Sequence, residues 1–211
     1  ALDAYNAFTT ATSAALPGGV TFPSTYVGSR LQMIAKAIQG HAHAALGAKR
    51  QTFFINFGGW DHHSGVLNYQ SQMLPQVSAA IGAFFSSLTA MGLQNNVTLF
   101  TASDFGRTLT SNGQGSDHAW GGNQLVVGGS VNGQKIYGQY PSLALNPSVG
   151  SELNPLDLGS GRLIPTTSCD EFFAELALWL GVSPTDLPLV FPNIGEFYSP
   201  GSASPPIGFM A

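Results

Sequence analysis

"QTFFINFGGWDHHSG", residues 51–65, is the stretch on which the reading of this chain turns. Gln51 to Phe57 is β-rich and nearly all apolar, as a strand covered on both faces should be. Gly58 and Gly59 break the run, and Trp60, Asp61, His62 and His63 follow at once. Asp, Glu, Lys and Arg together make up only 9% of the chain. An acid and two imidazoles side by side at a strand end therefore stand out.

On the C-terminal side, Met73, Val77, Ala80, Ile81, Phe84, Phe85 and Leu88 recur at helical spacing. They predict a helix over 66–91 that stops at Gly92, with Pro75 near its first turns. "NVTLFTAS" (96–103) reads as a second apolar strand running straight into Asp104. Strand, helix and strand make a βαβ unit, for which parallel pairing and a right-handed crossover are the default. Upstream, Leu31, Ile34, Ala35 and Ile38 predict a helix beginning near Val27, and residues 1–26 read as an extended arm or linker. Downstream, "NQLVVGGSVNGQKIYG" (123–138) predicts a hairpin turning at Asn132-Gly133. Residues 142–166 are mostly loop. Ser168 and Glu171 form a capping box that opens a last helix, buried through Phe172, Phe173, Leu176 and Trp179 or Leu180 and ended by Gly181. The Pro-rich tail "PPIGFMA" reads as an irregular packed strip. The expected class is α/β, a mostly parallel sheet flanked by helices plus a β-hairpin, with residues 27–211 as one domain.

Composition narrows the function. With 211 residues, 44% of them hydrophobic, the chain can bury a sizeable core. Its net charge is −4 and it has no basic run, which argues against nucleic acid as a partner. Cys169 is alone, so no internal disulfide forms. No apolar stretch approaches the ~18–20 residues of a membrane span. Solubility rests on Gly, Ser, Thr, Asn and Gln, a style common in exported proteins, and a start at Ala1 fits a processed chain. Asn96-Val97-Thr98 matches a glycosylation acceptor by chance.

Three loops share one design. Asp61 and His63 follow the first strand, Asp104 follows the second, and Asp117 and His118 lie in "GQGSDHAWGG" (113–122) before the third. Loops beyond the carboxyl ends of parallel strands converge on one crevice. Carboxylates gathered there repel one another unless a cation sits between them, and Asp oxygen with His nitrogen suits Zn²⁺ or Mn²⁺. Arg107, one of four arginines, either neutralises the acids or grips an anionic substrate. Taken singly, Asp104 reads as a cap or turn residue, His62 as a loop residue, His41 and His43 as helix-end residues, and Trp60 and Trp120 as packing.

"GGWDHH", "TASDFGRT", "SDHAWGG" and "GRLIPTTSCDEFFAELALWLGV" resemble, in order, the landmarks of a bacterial family called domain of unknown function 1501. The likeness runs from about residue 27 to the C-terminus. It implies an alkaline-phosphatase-like three-layer sandwich, export through the twin-arginine route to the periplasm or beyond, and kinship with phosphatases and sulfatases. It also implies metal ligation by Asp61, His63, Asp104 and His118, with Asp117 as a fifth candidate; in such a hydrolase Arg107 would be the catalytic residue that stabilises charge on the transferred group. Departures are visible: His62 stands where the family has Thr, Asp104 where Glu is usual, and Phe105 where metal phosphatases carry a ligating His. The resemblance covers the C-terminal half of the family's length. The attacking group would then be metal-bound hydroxide or a residue of a companion chain or N-terminal half, Ser64 and Ser116 being weaker choices. The expected function is a metal-dependent hydrolase acting on a small phosphate or sulfate ester. The alternative is a non-catalytic extracytoplasmic binding or structural module on the same scaffold.

Overall fold

The computed structural model describes residues 2–43, 47, 49–146 and 153–210. Part of the expected 142–166 loop, residues 147–152, lies outside them. The chain divides into two compact units, residues 1–97 and 98–211.

The first unit is helical. α1 (Leu2–Ala11) occupies much of the stretch expected to be an extended arm, with Thr10 and Thr12 hydroxyls donating back to the carbonyls of Asn6 and Phe8. α2 (Tyr26–Gln39) starts where Thr25 caps the Gly28 N–H at 3.1 Å, and it buries Val27, Leu31, Ala35 and Ile38. Gly28 is obligatory, because a Cβ there would collide with the Pro23 carbonyl. α3 (Val66–Ala90) packs against α2 and buries Ala80, Phe84 and Leu88. Burying a Leu or Phe side chain is worth roughly 1.5–3 kcal/mol, so these few contacts carry the pairing. The helix ends as expected: Gly92 takes φ 70° and the Leu93 N–H reaches back to the Leu88 carbonyl at 2.9 Å. Pro75 lies in the third turn. α3 carries no charged residue, and by length and composition alone it would suffice to cross a membrane.

Residues 51–60 form no strand. The expected parallel sheet is absent, and with it the three-layer α/β sandwich and the βαβ unit. A run of apolar residues supplies a strand's side chains but not its hydrogen-bonding neighbour, and among the described residues the first unit holds no other strand. Phe54 is 89% exposed as a result.

Among its described residues the second unit has two small antiparallel sheets. β1 (Thr98–Phe100) pairs with β4 (Val126–Gly128), Leu99 opposite Val127. This pairing uses the residues expected to form the first arm of a hairpin at Asn132-Gly133. That hairpin does not form, and Val131 bridges to Met210 instead. β2 (Gly106–Ser111) and β3 (Ser116–Ala119) make the hairpin that exists, its turn closed by Asn112 Oδ1 accepting from the Gln114 and Gly115 N–H groups. α4 (Cys169–Leu180) opens with the expected Ser168–Glu171 capping box and closes at Gly181 with φ 102°. Its Ala174 joins Leu187, from α5 (Leu187–Val190), and Ile194 in a buried cluster.

Two buried polar devices hold the irregular parts. Glu175, 2% exposed, accepts from the N–H groups of Ile207 and Gly208 through Oε2 and of Met210 through Oε1, at 2.6–2.7 Å. The tail is thus the packed strip expected, with Phe209 buried. Asn146, Asn154 and Asp157 bond one another's backbones across the loop, Asn146 Nδ2 to the Asn154 and Asp157 carbonyls and Asn154 N–H to Asn146 Oδ1. The Asn146 N–H at 2.9 Å holds the Asp157 carboxyl below the usual carboxylate range, against the upward push of burial and with help from the Gly159, Gly161 and Arg162 amides.

Candidate functional site

The Asp-His segment is organised by an aromatic series. Phe57 stacks on Tyr26 with centroids 6.3 Å apart, and Trp60 meets Phe57 edge-on at 5.6 Å. The His62 ring lies near Trp60 and almost parallel to Tyr69, 5.3 Å away at 6°. His62 is consequently buried, 4% exposed, although its neighbours on both sides are open. Its Nε2 has no hydrogen-bond partner among the described residues. Tight backbone bonds, His62 N–H to the Trp60 carbonyl at 2.9 Å and His63 N–H to the Asp61 carbonyl at 3.2 Å, fold the segment back on itself.

That anchoring turns Asp61 and His63 outward together. Asp61 Oδ1 and His63 Nε2 are 3.1 Å apart, with side chains about half exposed, 54% and 50%. Gly59, Asp61, His62, His63, Ser64 and Tyr69 line an open depression of about 300 Å³. Gly59 (φ 93°) and Gly65 (φ 62°) take the left-handed backbone that brings the segment round to the start of α3. The depression thus offers a carboxylate oxygen and an imidazole nitrogen within contact of each other, over a buried imidazole and beside a hydroxyl.

The remaining sequence-derived residues belong to the second unit. Asp104 is exposed at a bend just before β2. Phe105 stacks face to face on His118 at 4.0 Å and 14°, and the Arg107 guanidinium carbon stands 5.8 Å from the same ring. Arg107 and His118 are a register pair across β2 and β3, so they share a face. Arg107 Nε donates to Ser116 Oγ at 3.1 Å and Nη2 donates to the Ser116 carbonyl. Strand alternation sends Asp117 to the opposite face from His118, where Asn112 Nδ2 donates to it at 3.3 Å. His118 and Asp117, neighbours in sequence, therefore face different surroundings. Trp120, expected to pack, is 62% exposed.

Sequence reasoning passed over His62, treating it as an ordinary loop residue. The usable signal was the company it keeps: Phe57, Trp60 and Tyr69 lie within a few residues of it, enough ring surface to bury an imidazole.

A family model described as "Protein of unknown function (DUF1501)" matches residues 41–184. No curated protein matches the chain, and no solved structure matches it.

Proposed function

We propose that this chain, which belongs to the DUF1501 family of proteins of unknown function, is a divalent-cation-binding, hydrolase-like module whose cation site is built on Asp61 and His63. The observation that carries this reading is the 3.1 Å approach of Asp61 Oδ1 to His63 Nε2, on a segment whose only buried side chain is His62. The donor chemistry fits. A carboxylate oxygen with an imidazole nitrogen suits Zn²⁺ or Mn²⁺ and is half of a four-coordinate set. The orphaned His62 Nε2 beneath them supports a loop arranged around a further group. Asp61 would hold the ion through its carboxylate and His63 through Nε2, and the ion would act as a Lewis acid toward an ester oxygen. Ser64 and Tyr69, at the same depression, would contact the substrate through their hydroxyls.

Phosphate or sulfate esters remain the substrate class of the proposal, with the chain exported and related to the phosphatase and sulfatase superfamily. Arg107, on the β2–β3 hairpin of the second unit, is a separate candidate for holding an anion, oriented by its two bonds to Ser116. Those same bonds favour the second reading, a non-catalytic binding module, because they satisfy a guanidinium by structure alone. Calorimetric titration of Zn²⁺ and Mn²⁺ into the metal-stripped protein tests the cation site. Binding lost in Asp61→Ala and His63→Ala supports it, and equal binding in both variants sinks it. Metal binding without turnover of nitrophenyl phosphate or nitrophenyl sulfate selects the module.

A further inference from the structure

The segment ahead of the site, residues 51–57, has the side chains of a strand and none of its bonds. Among the described residues, no backbone hydrogen bond joins Gln51 to Phe57 to anything else. Burial alternates only over residues 54–57, with Phe54 and Asn56 exposed and Ile55 and Phe57 half-buried; Thr52 and Phe53 ahead of them are both exposed, Phe53 at 44% and Phe54 at 89%. Phe57 is fixed by its stack on Tyr26. The run contains no charge, Pro or Gly, which is the composition of a segment that pairs readily with its own kind.

From these observations we infer that residues 51–57 form an interface between two copies of this chain, pairing as antiparallel strands about a two-fold axis at Phe54. Charge selects both the occupant and the direction. Lys49 and Arg50, exposed, precede the run, and Asp61, exposed, follows it. Parallel pairing would set the basic ends of the two copies side by side. Antiparallel pairing brings the basic end of one copy to the acidic end of the other. In that register Thr52 lies opposite Asn56, Phe53 opposite Ile55, and Phe54 opposite itself, so polar meets polar and apolar meets apolar. Each edge bond also satisfies a backbone group that has no backbone partner among the described residues, the usual mode of strand addition. A two-fold contact is closed and self-complementary, so it ends at a dimer. The paired segment leads directly into Gly58-Gly59-Trp60, so dimerisation would steady the loop bearing Asp61 and His63. The side-chain register does not depend on whether that pair binds a cation; the charge match is that of the cation-free chain.

Sedimentation velocity over a range of concentrations tests this, with Phe54→Lys and Thr52→Lys as variants. Phe54 and Thr52 are exposed, so both variants should keep the parent's helical circular dichroism. A concentration-dependent dimer is expected. Phe54→Lys places like charges across the axis and should weaken it by at least about tenfold. Register is read by cross-linking in a Cys169→Ser background. Phe54→Cys should give a disulfide-linked dimer on mild oxidation, because residue 54 faces its own copy across the axis. Phe53→Cys, on the other face and offset in register, should give far less. A monomer at every concentration overturns the inference. So does a dimer indifferent to Phe54→Lys, a species larger than a dimer, or equal cross-linking at 53 and 54.

Discussion

Replacing Glu175 by Gln is the sharpest test of how the second unit holds its own end. The carboxylate is 2% exposed and accepts three backbone N–H groups, from Ile207, Gly208 and Met210, at 2.6–2.7 Å. Gln keeps the shape but turns one acceptor oxygen into a donor. Its best placement leaves the amide oxygen on Ile207 and Gly208 and points NH₂ at the Met210 N–H, donor against donor. Two bonds then lose charge assistance, roughly 1 kcal/mol each, and one buried donor is stranded at roughly 2 kcal/mol. Relief from burying a charge offsets a part of that sum on the order of 1–2 kcal/mol. The net loss is about 2–3 kcal/mol, or a fall in Tm of roughly 4–12 °C for a chain of this size. Urea unfolding monitored by Trp fluorescence measures it. A companion truncation after Ser204 removes all three donors. In the Glu175→Gln background that truncation should cost clearly less than in the parent, because both changes break the same contact. Gln within about 0.5 kcal/mol of the parent, or strictly additive losses, would refute the reasoning.

The other outcomes are more compact. Asp157 has a folded pKa below its ordinary 3.8, so its contribution is fully present above that value and is lost as pH falls through the folded one. The stability gap between the parent and Asp157→Asn should accordingly be wide at pH 7 and close in acid, and a gap independent of pH in urea titrations would contradict the assignment. Leu88→Ala, at a fully buried position between α2 and α3, should cost about 2–5 kcal/mol; a thermal melt shifted by less than about 2 °C would mean the helices are not packed there. Tyr69→Leu removes the ring parallel to His62, and it should lower Zn²⁺ affinity without touching a ligand, by a fewfold in calorimetry. Unchanged affinity would show that the stack does not position Asp61 and His63.

The parts legible in the sequence were those written locally. Gly92 and Gly181 end helices because a left-handed residue is needed within one turn, and Ser168 with Glu171 closes a cap across three residues. The helical spacing through Phe84 and Leu88 likewise needs no partner to be seen. Pairing is different. Gln51–Phe57 has the composition of a central strand, but a strand is defined by a neighbour, and no local signal says whether one exists. Val126–Gly128 was read as half of a hairpin because Asn132-Gly133 is a strong turn signal; the β1 edge, nearly thirty residues earlier, won it instead. Glu175 was invisible as an anchor, since its partners lie 32–35 residues downstream on amides that any sequence would supply. At the site, the Asp61–His63 pair follows from their spacing of two, whereas the burial of His62 depends on Trp60 and on Tyr69 from the first turn of α3 closing over its ring.

The uncharged character of α3 reaches beyond packing. Its solvent face is made of amides, hydroxyls and hydrocarbon, so ionic strength and pH have almost no handle on it, and heat or a detergent does. The same scarcity leaves no Lys or Arg from Gln51 until Arg107. Trypsin therefore releases the whole stretch with its Asp-His loop as one long apolar peptide, easily lost from a digest, and mapping this region calls for a protease that cuts at aromatic residues.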